Sequence, residues 1–240
     1  MKSTEDRLLV SFPFGCNMDC VFCLRNRHPY RSDFDLSEKQ WRRLFDRLRA
    51  LMRVMRGRGV TTLGLGGDEP TVAPEWLLDA VIALAAKEGF TKTELMSNGL
   101  KLRDGKYLAR LVKAGVNGFA LPVYGSTAAV HDGVTQKKGS YSALLRAIKN
   151  IKARPGVSLK LHTIPLKANQ EMLGEIVSGM RRLGVKCEIW GFIKNVTDTQ
   201  VNYPALMADG FAPRRQELVD SGMKKSGGFV RYNICTGEIY

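Results

Sequence analysis

Three cysteines stand within eight residues near the start of the chain, where their thiols could act together. Cys16, Cys20 and Cys23 have the spacing C-x3-C-x2-C. Three thiolates from one loop can ligate three irons of a cubane cluster and leave the fourth iron open for chemistry. Structural zinc prefers four closed ligands, and His28 is the candidate fourth ligand here. The spacing therefore favours an iron–sulfur cluster over a zinc site or thiols that bind no metal.

The elements that must position these thiols alternate between β-rich and helical segments. Six β-rich runs are predicted, at 8–14, 60–65, 91–96, 117–123, 157–164 and 185–192. Helices are predicted between them, at 37–56, 74–87, 106–114, 140–153 and 169–183. This alternation is typical of right-handed βαβ units around a parallel sheet, whose ligands lie at the carboxyl ends of the strands. The predicted fold class is therefore α/β.

The size and composition of the chain fit one large α/β domain or two small ones. It has 240 residues, of which 44% are hydrophobic and 25% charged, so it can bury a sizeable core. No apolar run approaches the roughly 18 residues that a membrane span needs. The first ten residues also lack the pattern of a secretory signal. We therefore expect a soluble cytoplasmic protein without a membrane partner.

Charge is the unusual bulk property of the sequence. Lysine and arginine total 37 against 23 acidic residues, which gives a net charge of +14. Such a balance favours polyanions or anionic substrates, and a well-solvated basic surface is the alternative. Four basic residues follow the cysteines, at a place where they could contact an anionic substrate: Arg25, Arg27, His28 and Arg31.

The cysteine group and its surroundings resemble the radical S-adenosylmethionine (SAM) enzymes. In that family three cysteines with this spacing follow the first strand and bind a [4Fe–4S] cluster, and an aromatic residue, here Phe22, packs near the adenine of SAM. The resemblance implies that Cys16, Cys20 and Cys23 hold the cluster. It also implies reductive cleavage of SAM to a 5′-deoxyadenosyl radical that abstracts a substrate hydrogen, with an electron donor such as flavodoxin or ferredoxin. The implied fold is a partial (β/α)6 TIM-like barrel with parallel strands, in agreement with the six predicted strands.

A glycine–acid turn after the second predicted strand extends the resemblance. Residues 66–71, GGDEPT, are similar to the family's GGEP segment, which binds the methionine amine of SAM. Gly66 and Gly67 would let the ligand approach the backbone closely, and a carboxylate would attract the ammonium group. Because Asp68 precedes Glu69, either carboxylate is a candidate for the amine, and Glu69, with Pro70 and Thr71 after it, is the better match to the family's segment.

Further SAM contacts are implied after the third, fourth and fifth predicted strands. Ser97 and Asn98 belong to a turn that resembles the family's Ser/Thr-Asn-Gly turn, although an ordinary Asn-Gly turn is the alternative. After the fourth strand, residues 124–141 resemble a series that precedes a helix in many members. Pro122 stands where those members have a SAM-binding serine, so Ser126 is expected to substitute for it. His162 is expected to face the SAM adenosine or the substrate.

The last part of the chain departs from the strand–helix alternation. Residues 1–193 are predicted to form the radical SAM core, and 194–240 a short segment that closes the barrel and is not a separate domain. This segment contains a predicted short helix at 213–223 and a β-rich run at 229–234. The two remaining cysteines are too few for another four-cysteine cluster. A single-cluster enzyme without a SPASM-like, cysteine-rich extension is therefore expected.

The two remaining cysteines each have more than one interpretation. Cys235 is either a small buried hydrophobic residue or, by analogy with some radical SAM epimerases, a hydrogen-atom donor to a substrate radical. Cys187 alternates with its neighbours on the sixth predicted strand, so it points either into the barrel or into the helix layer.

The resemblance leaves the substrate open. The first hypothesis is a ribosomally made peptide that is modified by epimerisation or cross-linking. RNA, a nucleotide or a sugar are the alternatives, and the positive charge favours RNA or a phosphorylated molecule. A rival of another class is a basic nucleic-acid-binding protein with a structural metal site, which leaves residues 66–71 unexplained. A relative that binds SAM without cleaving it is consistent with the departures at Asp68 and Pro122.

Overall fold

The computed structural model describes residues 5–23, 35–190 and 228–239. Three of the sequence predictions lie outside the described residues. They are the four basic residues between positions 25 and 31, the boundary between 193 and 194, and the helix at 213–223.

Seven strands form the sheet: β1 Glu5–Phe12, β2 Thr62–Gly67, β3 Lys92–Met96, β4 Gly118–Pro122, β5 Ser158–Thr163, β6 Lys186–Ile189 and β7 Gly228–Asn233. Their order across the sheet is β6-β5-β4-β3-β2-β1-β7, and every neighbouring pair is parallel. Helices connect the strands as the sequence pattern predicts. The α/β class and the partial TIM-like barrel are therefore confirmed.

Six helices accompany the described strands: α1 Glu38–Gly57, α2 Glu75–Lys87, α3 Gly105–Ala114, α4 Ala128–Thr135, α5 Ser140–Lys152 and α6 Leu173–Arg182. Ser37 and Gln40 cap the start of α1 in a reciprocal capping box. Gly115, with φ +123°, ends α3 in a conformation that favours glycine. Among the described residues, no helix is both long and apolar enough to cross a bilayer.

One face of the sheet packs against the helices. Leu63, Leu65 and Leu95 on the strands share a buried apolar core with Leu48 on α1 and Leu77 on α2. Alternate strand residues point to the opposite face, which is the inner face of the partial barrel because the helices form the outer layer. The core thus lies between the sheet and the helices, and the inner face remains for polar residues.

Strand β7 extends the sheet beyond the six strands of the sequence pattern. It pairs with β1 in parallel, with Leu8 opposite Val230 and Val10 opposite Tyr232. The Tyr232 hydroxyl donates to the Leu44 carbonyl of α1 at 2.7 Å, which fixes the new strand to the outer layer. The predicted β-rich run at 229–234 is therefore a strand of the main sheet.

Candidate active site

The three cysteines lie in the loop that follows β1, at the carboxyl edge of the sheet. All three thiols are half-buried and outside disulfides. Burial and the neighbouring thiols Cys16 and Cys23 raise the pKa of Cys20 to about 12, which indicates that the three sulfur atoms are close enough to interact. In the part of the chain that the structure describes, no three Cys, His, Asp or Glu side chains already stand in a metal-ligating arrangement. The donor set of three neighbouring sulfurs nevertheless fits an iron–sulfur cluster.

The end of α4 holds the cysteine loop in place. The amide of Asp19 donates to the Thr135 carbonyl at 3.1 Å, and the amide of Val21 donates to the Val134 carbonyl at 3.0 Å. The backbone is thereby fixed on both sides of Cys20, the second of the three cysteines. Helix α4 lies in a segment for which the sequence pattern predicts no helix, yet two of its last carbonyls position this loop.

A carboxylate of α4 fixes the junction between α4 and α5 in turn. Asp132 accepts hydrogen bonds from the amides of Gly139 and Tyr141, at 2.6 and 2.8 Å, and from the Ser140 hydroxyl at 2.8 Å. The Ser140 hydroxyl also lies 2.7 Å from the Thr135 hydroxyl. The second half of the series at 124–141, which resembles the family, therefore supports the cysteine loop.

Glu69 lies at the centre of the loops that follow β2 and β3. Its side chain is 1% exposed and accepts four hydrogen bonds. The Thr71 amide and hydroxyl donate at 3.2 and 2.7 Å, the Ser97 hydroxyl at 2.8 Å and the Asn98 amide at 2.6 Å. Burial raises the pKa of Glu69, and these hydrogen bonds oppose the rise. We call Glu69, Thr71, Ser97 and Asn98 the Glu69 network.

The Glu69 network is joined directly to the cysteine loop. The Asn98 side-chain amide donates to Asn17 Oδ1 at 2.7 Å and to Cys16 Sγ at 3.4 Å. The Glu69 backbone amide donates to the Gly15 carbonyl at 2.9 Å. The loops after β1, β2 and β3 therefore form one hydrogen-bonded unit, and Asn98 is the side chain that connects its two halves.

The two glycines of the turn have little room for a side chain. Gly67 has φ +101°, and a Cβ there would lie 2.6 Å from Ser11 Oγ and 2.7 Å from the Phe12 amide nitrogen. A Cβ on Gly66 would lie 2.3 Å from Met96 Cε. Glycine is needed at Gly67, because its φ is positive and a side chain would collide with the backbone of β1, whereas the clash at Gly66 falls on the flexible end of Met96. Asp68 is half-buried, and its side chain stays outside the Glu69 network.

Aromatic rings line the other side of the cysteine loop. Phe22 meets Tyr124 edge to face, with ring centroids 5.1 Å apart. Tyr124 stacks on His131, whose Nδ1 accepts the Tyr124 amide at 3.1 Å. Burial, together with the three nearby thiols, raises the pKa of Tyr124 well above its usual value. Tyr124 is thus an uncharged aromatic residue that lines the site. The sequence pattern assigned it no role of its own.

The remaining predicted SAM contacts lie outside the Glu69 network. The Ser126 hydroxyl donates to Glu175 at 3.0 Å and contacts the Met172 sulfur, so it connects the start of α4 to α6. His162, near the end of β5, stacks flat on Trp190 with ring centroids 3.7 Å apart. Burial lowers the pKa of His162 to about 4, so the ring is neutral at pH 7. Its Nδ1 atom is buried and has no hydrogen-bond partner among the described residues.

The structure decides where the two remaining cysteines lie. Cys187 points into the helix layer, where it packs against the main apolar core. Cys235 is 6% exposed and belongs to the same core. Burial raises the pKa of each thiol to about 12, so both are protonated at neutral pH. A hydrogen-donor role for Cys235 stays a prediction.

Sequence reasoning did not single out one charged group on the inner face. Glu94 on β3 is 3% exposed and is surrounded by Arg7 at 3.2 Å, Lys92 at 3.5 Å and Lys160 at 3.1 Å. The signal was present, because a glutamate stands in the middle of a short β-rich run. A charge on a strand that is otherwise buried needs partners, and here they come from β3 itself and from two other strands, β1 and β5.

Known proteins resemble this chain in sequence. A model of the radical SAM superfamily matches residues 10–178. Mycofactocin maturase MftC of Mycobacterium tuberculosis is 24% identical over 243 residues, which cover 92% of this chain and 57% of that protein. GTP 3′,8-cyclase of Synechococcus elongatus is 30% identical over 175 residues, or 72% of this chain and 51% of that protein. The chain therefore spans a little more than half the length of these relatives.

Solved structures share the fold at lower sequence identity. Streptococcus suis SuiB bound to precursor peptide SuiA has a TM-score of 0.64 and 13% identity, over 98% of this chain and 58% of SuiB. The protein anSMEcpe with bound AdoMet and Cp18Cys peptide has a TM-score of 0.58 and 13% identity, over 81% of this chain and 54% of anSMEcpe. At these identities the likeness establishes the fold alone.

Proposed function

The chain belongs to the radical SAM superfamily, whose cofactors are a [4Fe–4S] cluster and SAM, and we propose that Cys16, Cys20 and Cys23 hold that cluster here. One observation carries the proposal. Asn98 contacts the sulfur of Cys16 with its side chain and the Glu69 carboxylate with its backbone. The loop with the sulfur donors and the turn that resembles the SAM-binding segment are therefore parts of one rigid unit.

A cluster held by Cys16, Cys20 and Cys23 would pass an electron from the redox partner to SAM, and the reductive cleavage of SAM would provide the radical that takes a hydrogen atom from the substrate. The protein's own residues bind, orient and exclude water. The three thiols must lose their protons to ligate iron. The Asn98 amide donates to Cys16 Sγ and stabilises its negative charge, and hydrogen bonds of this kind tune the potential of such clusters. Phe22 and Tyr124 cover the loop from one side.

The Glu69 network suggests that Asp68 and Glu69, the two carboxylates of the turn, have different roles. Glu69 already accepts four hydrogen bonds from neutral donors, so its carboxylate serves to hold the loops together. Asp68, half-buried on the same turn, remains as the carboxylate that can approach an ammonium group. We assign the methionine amine of SAM to Asp68 and to the backbone around Gly66 and Gly67.

We also propose the remaining SAM contacts that the sequence assigned. Ser97 and Asn98 belong to the Glu69 network, and Phe22 adjoins the cysteine loop. Ser126 is engaged by Glu175, so its contribution would be to position the loop before α4. His162 offers a neutral ring with an unsatisfied Nδ1 atom to the adenosine or the substrate.

The proposed substrate is a peptide, modified by epimerisation or cross-linking. Support comes from the match to mycofactocin maturase MftC over 92% of this chain. Peptides also occupy two proteins that share this fold, SuiB with SuiA and anSMEcpe with its Cp18Cys peptide. The electron would come from a small redox protein such as flavodoxin or ferredoxin.

A nucleotide is the second candidate substrate. GTP 3′,8-cyclase is 30% identical over 72% of this chain, and a net charge of +14 favours phosphorylated molecules. RNA shares the same electrostatic argument. Comparing the product of the radical reaction on a peptide with that on GTP would separate the two candidates.

The experiment that tests the activity does not depend on the substrate. The protein is reconstituted anaerobically with iron and sulfide, given SAM and dithionite, and assayed for 5′-deoxyadenosine by mass spectrometry. We expect about four irons per chain, as a single cubane requires, and product above a protein-free blank. Cys20→Ala should lose both the cluster and the product.

Cys187→Ala is the matched control, because Cys187 packs in the helix layer away from the cysteine loop. It should keep the iron content and the product of the parent protein. Product at the parent's level in Cys20→Ala, or its equal loss in both variants, would contradict the assignment of the three cysteines.

A further inference from the structure

A small apolar group, separate from the main core, lies against the cysteine loop. Met18, Leu100 and Ala143 are 5%, 9% and 3% exposed, and Cys16 and Cys20 pack against them. Met18 belongs to the loop itself, Leu100 follows the turn after β3, and Ala143 lies in the first turn of α5. We call Met18, Leu100 and Ala143 the Met18 group. Two of the three thiols are thus in contact with side chains that do not belong to the core of the sheet.

The Met18 group lies directly beneath the surface of the protein. Each of its members has an exposed neighbour in the chain, and these neighbours are Asp19, Lys101 and Ser142. The Leu100 amide donates to Asn98 Oδ1 at 2.9 Å, so its position is fixed relative to the Glu69 network. On this side, a single layer of apolar side chains therefore separates two of the cysteine sulfurs from the solvent.

Cationic side chains surround the Met18 group. They stand on the segment between β3 and α3, on the loop between α4 and α5, and on α5 itself. These exposed cations, which we call the cationic rim, are Lys101, Arg103, Lys137, Lys138 and Arg146. Lys101 follows Leu100, and Arg146 is three residues beyond Ala143 on α5. The two lysines of the loop come directly after the end of α4, whose Thr135 carbonyl accepts the Asp19 amide.

The carboxylates of the same segments leave the cationic rim unneutralised. Asp104 caps α3 by accepting the Lys106 amide at 2.8 Å, and Asp132 accepts three hydrogen bonds from the residues that begin α5. In the described part of the chain, none of the five rim cations is engaged in an ion pair. Lys101 lies over the uncharged ring of Tyr107, 5.1 Å from its centroid. The rim is therefore a positive region beside the thinnest apolar cover of the cysteine loop.

Two other surfaces lack this combination of unpaired cations and contact with the thiols. Phe22 and Tyr124 border the cysteine loop with uncharged aromatic rings. Helix α1 is rich in arginine, but Arg42, Arg49 and Arg53 form ion pairs with acidic residues. The side of the Met18 group is therefore the one we select for a charged partner.

We propose that the cationic rim docks an acidic protein that carries a one-electron donor, and that the electron passes through the Met18 group to the loop of Cys16 and Cys20. This inference rests on the proposed function, because only reductive cleavage of SAM needs the electron. In this step the donor protein loses one electron, the loaded cysteine loop gains it, and no covalent bond forms or breaks. Complementary charges at the edge of an interface speed association and are screened by salt.

Binding of a fluorescein-labelled, oxidised flavodoxin to the reconstituted protein tests the docking site directly. Fluorescence anisotropy gives the affinity at about 50 mM and about 200 mM salt, and the affinity should fall at the higher concentration. Arg146→Glu should weaken binding about tenfold at low salt, because a negative charge then faces the acidic partner. Arg146→Lys should keep most of the affinity.

Lys113→Glu is the matched control for the binding experiment. It makes the same change of charge at an exposed position near the end of α3, which is at the opposite edge of the sheet from the cysteine loop. Its affinity for flavodoxin should equal that of the parent protein.

Three outcomes of the binding experiment would overturn the proposal. Absence of binding by the parent protein at low salt removes the site. Equal weakening in Arg146→Glu and Lys113→Glu means general attraction to a protein of net charge +14. Tighter binding of a short oligouridylate than of flavodoxin, weakened by Arg146→Glu, makes the rim a nucleic-acid site.

The source of the electron gives a second measurement. Formation of 5′-deoxyadenosine is compared with reduced flavodoxin and with dithionite, a small reductant that needs no docking site. Arg146→Glu should lower the rate with flavodoxin about fivefold or more and keep the rate with dithionite. An equal fall with both reductants, or no fall with either, would contradict the proposal. Absence of product from the parent protein with dithionite would refute the proposed function, whereas the anisotropy measurement needs no SAM cleavage and decides the docking site separately.

Discussion

Two buried glutamates on neighbouring parts of the sheet have opposite surroundings. Glu69, after β2, is 1% exposed and accepts hydrogen bonds from neutral hydroxyl and amide groups. Glu94, on β3, is 3% exposed and faces three cations. Burial raises the pKa of Glu69. Burial acts in the same direction on Glu94, but Lys160, Lys92 and Arg7 outweigh it and lower the pKa of that carboxyl.

The difference separates two uses of a buried acid. Neutral donors satisfy the hydrogen bonds of Glu69 without adding charge, so the result is a rigid junction between loops. Three cations contact Glu94, so the result is a network of charges that links β1, β3 and β5. The same residue type is thus structural at the edge of the sheet and electrostatic on its inner face.

The largest effect is expected at Glu69. Glu69→Ala would leave four donors without their acceptor in a buried place, which should lower the free energy of unfolding by about 4 kcal/mol. The loops should loosen together, so iron content after reconstitution should fall as well. Urea denaturation of the apo-protein and iron analysis measure the two effects. Glu171→Ala, at an exposed glutamate, should change stability by less than about 0.5 kcal/mol. A similarly small change of the unfolding free energy in Glu69→Ala and Glu171→Ala would contradict the structural role of Glu69.

A smaller effect is expected at Glu94. Glu94→Gln keeps the side-chain size but leaves three cations near one another, which should cost about 2 kcal/mol of unfolding free energy. Inorganic phosphate should recover part of this loss by supplying the missing negative charge. The same phosphate concentration should leave Glu69→Ala unchanged, since no surplus charge surrounds that position. Equal recovery in the two variants would show that phosphate acts on the whole protein.

Asn98 allows a further test of the hydrogen-bonded unit at the edge of the sheet. Asn98→Ala removes contacts to Asn17 and Cys16, and should cost about 1–2 kcal/mol of stability and lower SAM cleavage about tenfold. Asn150→Ala is the matched control, because Asn150 donates to the carbonyls of Leu102 and Arg103, in another part of the fold. Its stability should fall by a similar amount with SAM cleavage kept. Equal loss of cleavage in both would mean that general loosening, and not the contact with Cys16, explains the effect.

The smallest effect is in the pH dependence of stability. The pKa of Glu94 is lowered from 4.5, so below about pH 4.5 the unfolded chain binds its proton first and the stabilisation by Glu94 is lost. The stability difference between the parent and Glu94→Gln should therefore shrink as pH falls, by at most about 1.4 kcal/mol per pH unit.

Glu69 should show the opposite sign, because its pKa is raised and the folded state binds the proton first. As pH falls toward 4.5, the parent should gain stability relative to Glu69→Gln. Urea midpoints of the parent and both variants between about pH 3 and 6 measure the two slopes. Slopes of the same sign would remove the distinction between the two sites.

Much of the fold follows from the sequence because its strands are apolar runs bounded by glycines and prolines. Helix α4 does not, since it has only eight residues and contains Gly133 and Thr135, which are poor helix formers. Its helical form depends on the hydrogen bonds that Asp132 makes with the start of α5. Such contacts between segments leave no periodic pattern in the sequence.

The sequence predicts which motifs belong to the site. It does not predict which side chains contact one another. Spacing indicates that Cys16 and Asn98 belong to the same site, but the hydrogen bond between them depends on the geometry of two loops. Ser126 shows the limit clearly. Its position in the chain suggests a SAM contact, whereas in the structure its hydroxyl donates to Glu175 on α6. The three cations contact Glu94 because of the order of the strands in the sheet, and residue types alone do not specify that order.

The pairing of β7 with β1 has a consequence for how the protein is made. Strand β1 has two neighbours in the sheet, β2 and β7, and the second begins only at Gly228. At about 5–20 residues per second, a ribosome needs roughly 10–40 s to proceed from the end of β1 to that strand. During this time the edge of β1 that precedes the cysteine loop has unpaired amides and carbonyls, and a parallel pairing at such sequence separation forms slowly. Among the described strands, the one that leads into the cysteine loop is therefore the first to be synthesised, and its second neighbour is the last.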